Sequence, residues 1–316
     1  MLSHYHASIN PRDENNSHAV MLRMVGFNKR VLEAGCASGH MSEMLKGQGC
    51  SVVGVEIDPK VVSPAMPWLE RVVVGDFDED QLWEELEGES FDAILFGDVL
   101  EHLKDPLHAL RESAKHLAPS GTVVISVPNI AHADVKIALL KGAFPYSENG
   151  LLDQTHIYFF TKESLLELVK KAGLIAVEVC RVTTPVFATE IDVLRSDVDD
   201  QVLKAILADR ESETYQFVVK AVRDDGTRSL ENLSSDLIGL TDQLLDLTKH
   251  YESLRLEHET LVERNDALER QHETDVQALA ESRHQIAFIK RFIPSPLIKM
   301  VRRRRNRKRA ENHSLP

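Results

Sequence analysis

The order of apolar segments between residues 30 and 128 constrains the fold of this chain more than any other feature. Runs rich in Val, Ile, Leu and Ala recur over 30–34, 51–57, 71–74, 91–96 and 122–127. They are nearly continuous in apolar residues, as strands covered on both faces must be; a half-exposed strand would alternate. Stretches of helical character over 41–47, 80–87 and 107–117 separate them. Parallel neighbours need a crossover, and a helix supplies it. Alternation of this kind therefore predicts an α/β fold with a doubly wound, mostly parallel sheet. Two later β-rich runs, 175–184 and 215–222, would complete the sheet, with a helical insertion over 185–213 between them. Val20, Met21, Leu22, Met24 and Val25 predict a short helix within an N-terminal segment, 1–29, before the first strand.

After a sheet domain over 30–225 the pattern changes. From Leu230 to His272 a strict 3,4 spacing puts Leu at every d position, and Tyr251, His258, Asn265 and His272 among the a positions. One extra residue then moves the frame to Val276, Leu279, Arg283 and Ile286, a skip in the repeat. The spacing predicts a coiled coil within 226–293, about 60 residues or ~90 Å long at the α-helical rise. Asn265 favours a defined register, often that of a parallel dimer, so a homo-oligomer through 230–286 is expected. A single long helix packed on its own domain is the alternative.

Charge is unevenly spread. The chain of 316 residues carries −13 overall, but 290–316 carries +9 and 1–289 carries −22. An acidic body repels phosphates, which excludes nonspecific nucleic-acid binding by the sheet domain. Cys36, Cys50 and Cys180 are too few for a disulfide framework, and no CxxC pair points to zinc. A reducing cytosol is the expected compartment. The first residues lack the apolar core of a secretory signal, and no run of about 18 apolar residues is long enough to span a membrane.

Four blocks carry the chemistry. The first strand runs into Glu33-Ala34-Gly35-Cys36-Ala37-Ser38-Gly39, a glycine turn that lets a ligand approach backbone. Glu56, with Ile57 after it, ends the next strand 21 residues beyond Gly35, where an acid can accept both hydroxyls of a ribose. Gly75-Asp76-Phe77 ends the third strand, and Asp98-Val99-Leu100-Glu101-His102 follows the fourth. In this order and spacing the blocks resemble the class I S-adenosylmethionine-dependent methyltransferases over about residues 15–222. The resemblance implies a seven-stranded sheet with one antiparallel hairpin strand, and S-adenosylmethionine as cofactor. It implies that Glu33, Gly35, Ala37 and Gly39 form the loop around the methionine part and that Glu56 holds the ribose. Asp76 would hold the adenine amino group with Phe77 beside the ring, and Ile57 and Asp98 complete the cofactor side. Ala37 stands where a middle glycine is commoner, and only a slight change of loop geometry is expected from so small a side chain.

Asp98-x-x-Glu101-His102 with His156 in Asp153-Gln154-Thr155-His156-Ile157-Tyr158-Phe159-Phe160 is similar to two relatives. These are the ubiquinone-pathway O-methyltransferases and the methyltransferases of small-RNA 3′ ends. The likeness implies a divalent-metal site, for Mg or another divalent metal such as Mn or Fe, at Asp98, Glu101, His102 and His156. A metal-free general base, His156 with His102, is the alternative. In a third reading both histidines are structural. The stretches 126–132 and 150–161 look like bacterial methyltransferases found with surface-polysaccharide glycosyltransferases. That implies a sugar hydroxyl as acceptor, under a loop over 142–154 with Tyr146 and Tyr158 as stacking faces. Beyond 286, apolar residues interleave with Lys290, Arg291 and Lys299 before the basic run 302–309. The tail, 294–316, suits an anionic membrane surface, with 286–309 as the contact. A glycosyltransferase partner is an alternative there, and nucleic acid another. The expected protein is thus cytoplasmic, held peripherally at the inner face of the membrane. A noncatalytic scaffold that only binds cofactor is the competing class.

Overall fold

The computed structural model describes residues 13–224 and 228–292. Its seven strands are β1 (Arg30–Ala34), β2 (Ser51–Glu56), β3 (Arg71–Val74), β4 (Phe91–Gly97), β5 (Leu117–Pro128), β6 (Leu174–Thr183) and β7 (Thr214–Arg223). They form one sheet in the order β3-β2-β1-β4-β5-β7-β6. The first five are parallel, and β7 inserts antiparallel between β5 and β6. The doubly wound, mostly parallel sheet expected from the alternation is therefore the observed fold.

Successive residues of each strand serve opposite faces. Leu32, Val53, Ile94, Phe96, Val123 and Phe217 enter one core cluster, and Val31, Val52, Ala93, Leu95, Val124 and Val218 enter the other. Helices cover both faces, which is why the strands read as unbroken apolar runs. On the first face lie α3 (Asp80–Glu85), α4 (Pro106–Lys115) and α6 (Lys162–Lys171); on the second lie α1 (Ser17–Val25) and α2 (His40–Gly47). Asn16 caps α1 through a bond from the Ala19 amide at 3.1 Å, and Asp105 caps α4 through one from His108 at 2.9 Å.

A third, smaller core joins α5 (Ala133–Leu140), the 142–160 loop and 184–207, which includes α7 (Asp200–Leu207). Here the structure departs from expectation. Apart from α7 and one 3₁₀ turn, 185–213 is loop, and polar anchors hold it instead of helical packing. Asp134, fully buried, accepts from the Phe187 amide at 2.8 Å and from Thr189 Oγ1 at 2.6 Å. Glu190 accepts from the Leu151 amide at 2.6 Å and from the Tyr215 hydroxyl at 3.0 Å. Neither α5 nor α6 was foreseen.

A last helix, α8 (Arg228–Phe292), runs for 65 residues. The chain falls into two compact units, Met1–Thr241 and Asp242–Pro316. In the first, Ile238 packs against the sheet core. In the second, every residue from 251 to 287 is exposed. The segment 1–12 and the basic tail 294–316 lie outside the described residues. Among those described, no helix is long and apolar enough to cross a membrane.

Candidate active site

Strand order places β2 on one side of β1 and β4 on the other, so the connections leaving β1 and β4 diverge. A crevice opens at the carboxyl ends of the strands at such a switch point. All four motif blocks end there.

The first block builds the loop. Gly35 and Gly39 have φ of +65° and +85°, in the left-handed region where glycine meets no steric penalty. At Gly39 a Cβ would fall 2.5 Å from Ala65 Cα, so a side chain is excluded by space as well. Ala37 also has a positive φ, 41°. The alanine thus keeps the left-handed backbone that a glycine would adopt and bears the strain. Glu33 is 4% exposed and accepts from Ser42 Oγ at 2.5 Å. Burial pushes its carboxyl up to about 8, with the Ser42 bond opposing.

Glu56 fixes the loop from the neighbouring strand. Its Oε2 accepts from the Ala37 amide and its Oε1 from the Asp58 amide, both at 3.0 Å. Beside it Ile57 is 63% exposed, an apolar face left open at the crevice. Asp76 accepts from the Asp78 amide at 3.0 Å. Phe77 differs from expectation. Its ring sits edge-on to Trp83 and Phe96, at 5.5 and 5.3 Å, and is 4% exposed. The side chain is enclosed in the core, because the strand end turns it inward.

A Cβ on Gly35 would lie 3.0 Å from Val99 Cγ2, which puts the loop against the fourth block. In that block Asp98 has φ 55° and accepts from Gln216 Nε2, which also donates to Ser126 Oγ at 2.7 Å. Burial raises the Asp98 carboxyl to about 6 against those bonds. Glu101 is 1% exposed and its Oε2 has no hydrogen-bond partner. Burial, then the Asp98 charge, pushes its carboxyl well above the usual range.

The 151–160 segment closes on this block. The Ile157 and Tyr158 amides donate to the Glu101 carbonyl at 2.8 and 2.9 Å. They bring His156 to His102, ring centroids 4.8 Å apart. His102 Nδ1 lies 3.2 Å from both the carbonyl oxygen and the hydroxyl of Thr155. A carbonyl only accepts, so neutral His102 carries its proton on Nδ1 and leaves the Nε2 lone pair free. Thr155 Oγ1 in turn donates to Asp153 at 2.6 Å. His156 is half-buried, and its Nδ1 makes no well-formed hydrogen bond. Burial first, then His102, lowers its pKa below the ordinary histidine value despite the pull of Asp153.

Ligand atoms of Glu101, His102 and His156 lie within 4.8 Å of one another. Asp98, the fourth residue expected there, is not among them; Gln216 engages its carboxylate instead. Sequence reasoning missed Gln216 and Ser126, which hold Asp98, and assigned no role to Asp153 or Thr155, which orient His102. Gln216 gives no local signal, lying 118 residues from Asp98.

A crevice of this kind, at the switch point of a doubly wound sheet, is where such folds bind nucleotide-type ligands. The chain belongs to the methyltransferase-domain family, whose pattern matches residues 13–179, more than half of the chain. Among curated proteins it is similar to a ubiquinone biosynthesis O-methyltransferase of Xanthomonas campestris pv. campestris. That match is 35% identical over 119 residues, 36% of this chain and 49% of the relative. A protein of the same name from Cereibacter sphaeroides is 32% identical over 149 residues, covering 46% of this chain and 60% of that one. The chain thus spans about half to three fifths of the length of these relatives. A solved S-adenosylmethionine-dependent methyltransferase from Archaeoglobus fulgidus superposes with a TM-score of 0.47 at 19% identity, over 65% of this chain and 94% of that one.

Proposed function

We propose that the chain is an S-adenosylmethionine-dependent O-methyltransferase. The observation that carries the reading is a loop held by Glu56 and set against Val99, in the same block whose His102 pairs with His156. S-adenosylmethionine, when bound, supplies a methyl group on a sulfonium centre open to in-line attack. This chain's residues do the rest. Gly35, Ala37 and Gly39 admit the cofactor to the backbone, Glu56 accepts its ribose hydroxyls, and Asp76 accepts from its base. Ile57 offers an apolar face to that base. Asp98, held by Gln216, closes the methionine side with Glu33. His156, kept neutral below the usual range, takes the acceptor's hydroxyl proton with His102 beside it, which an alcohol attacking at neutral pH requires.

For the acceptor, the 126–132 and 150–161 stretches support a sugar hydroxyl of a cell-surface polysaccharide or its lipid-linked precursor. Tyr146 and Tyr158, 65% and 46% exposed, offer flat faces to a sugar ring. The name of the curated relatives favours a second reading, a hydroxyl of quinone type; an RNA 3′ end is a third acceptor of the same chemistry. The orphaned Glu101 Oε2 favours a metal-assisted variant, in which Glu101, His102 and His156 would hold a divalent cation that lowers the hydroxyl pKa. Residues 286–309 would bring the enzyme to an anionic membrane surface or to a glycosyltransferase.

Labelled S-adenosylmethionine incubated with glycolipid, quinol and RNA fractions, with and without chelator, tests these readings. Label entering the glycolipid fraction is expected; label confined to quinol or RNA replaces the acceptor. Full activity in chelator removes the metal. Glu56→Ala should abolish cofactor binding and transfer together; transfer that survives it would remove Glu56 from the cofactor site, and a native chain that labels none of the fractions would leave only the scaffold role.

A further inference from the structure

The second unit carries an uncovered apolar stripe. Along α8, Leu244, Leu247, Leu254, Leu261 and Leu268 are 50–65% exposed, and Tyr251 is 67% exposed. Most helical stability in water comes from packing an apolar face, not from propensity. A helix that sets leucine at every second seam position and leaves it wet is one whose partner is missing. Off the seam Leu245, Leu256 and Val262 are apolar, but most of the other positions from 242 to 272 are polar or charged, so the continuous apolar stripe is the a/d seam and suits one slender occupant. The chain outside the described residues offers none of matching length: 1–12 is short, and 293–316 is dominated by Arg and Lys and holds Pro294 and Pro296.

We infer that the occupant is α8 of a second copy, parallel and in register. Direction follows from how the polar seam residues are sorted. Leu247, Leu254, Leu261 and Leu268 all stand at d, whereas Tyr251, His258, Asn265 and His272 all stand at a. In parallel pairing a meets a and d meets d. Leucine layers then stack on leucine, and each polar residue faces its own kind, which can return a hydrogen bond. In antiparallel pairing a meets d, and Asn265, His258 and His272 would each be pressed against leucine with polar atoms unmatched. Charge agrees: Arg264 at g and Glu269 at the following e lie opposite one another across a parallel interface. In the single helix Asn265 commits its amide to Glu269 at 3.3 Å, a bond between exposed side chains. Pairing frees that amide for the seam.

Light scattering on the full chain should give twice the chain mass at micromolar concentration. Leu254→Asp with Leu261→Asp should return it to the single mass while cofactor binding is retained. Leu247→Cys and Leu268→Cys, made separately, test direction, because the two positions are about 30 Å apart along the helix. An in-register parallel pair brings each cysteine to its own copy, so both variants should cross-link under mild oxidant far beyond the unsubstituted chain. An antiparallel pair can bring at most one of the two positions opposite itself. Cross-linking of one variant alone overturns the parallel register. A single-chain mass at all concentrations, a trimer, or a double mass that survives the two aspartates overturns the pairing.

Discussion

Glu33 holds a proton in the folded chain that the unfolded chain would release. Its folded carboxyl sits near 8, far above its ordinary value, because burial penalises the charge more than Ser42 relieves it. The stability it contributes is therefore complete below the ordinary carboxylate range and is lost as pH rises toward about 8. Asp98 and Glu101, raised by burial too, act in the same direction. Glu33→Gln should flatten the fall in Tm between pH 5 and 8 and raise Tm at the upper end; a variant whose Tm falls as steeply as before would remove Glu33 as the source. His156 moves oppositely. Its lowered pKa keeps it neutral, so the acid limb of kcat/KM should have its midpoint below 6.5, the ordinary histidine value. His102→Gln takes away one of the two causes and should shift that limb upward; a midpoint at or above 6.5 in the native chain would mean that another group titrates. The residues of the loop were legible because a glycine turn and an acid at a strand end are local signals. The partners that tune the site were not. Thr155 lies 53 residues from His102 and Gln216 lies 118 from Asp98, and only folding brings them together.

Among elements, the loop between β1 and α2 tolerates little change at Gly39. Gly39 combines a φ of +85° with Ala65 backbone 2.5 Å from where its Cβ would stand. Gly39→Ala should cost ~2–4 kcal/mol in urea unfolding, the sum of a left-handed alanine and an overpacked contact, and should weaken cofactor binding with it. A loss within experimental error would show that the loop relaxes. Strand positions were read from the sequence closely, since burial on both faces writes an unbroken apolar run. β5 was the exception: it starts at Leu117, five residues ahead of expectation, and a register shift against β4 between Phe91 and Ala93 follows that start. Its opening, Ala118-Pro119-Ser120-Gly121, reads as a turn because of its Pro, Ser and Gly and hid that start. α6 was obscured for another reason. Its capping pair, Thr161 and Ser164, is a clear start signal, but Thr161 also ends the block that drew attention as site chemistry. The insertion misled because apolar residues at helical spacing here serve a small core held by Asp134 and Glu190.

At the scale of the molecule, the first unit has its own two-faced core and includes the start of α8 through Ile238. A chain ended after Thr241 should keep its cofactor affinity and shift Tm by less than about 4 °C, which corresponds to ~1 kcal/mol in a domain of this size. A larger loss would mean that the long helix supports the sheet. The direction of β7 decides where that helix is attached. Because β7 runs against its neighbours, Gln216 at its start serves Asp98 in the crevice, whereas its end is moored at the opposite rim. There Arg223 donates to the carbonyls of Ala114 and Leu117 at 2.7 Å, and the Asp224 amide bonds Gly173 at 2.9 Å. Whatever is spliced on after residue 224 begins a strand's length from the reacting groups. One reversed strand thus acts as a spacer, setting the outgoing chain at the far rim from the groups that would do the chemistry.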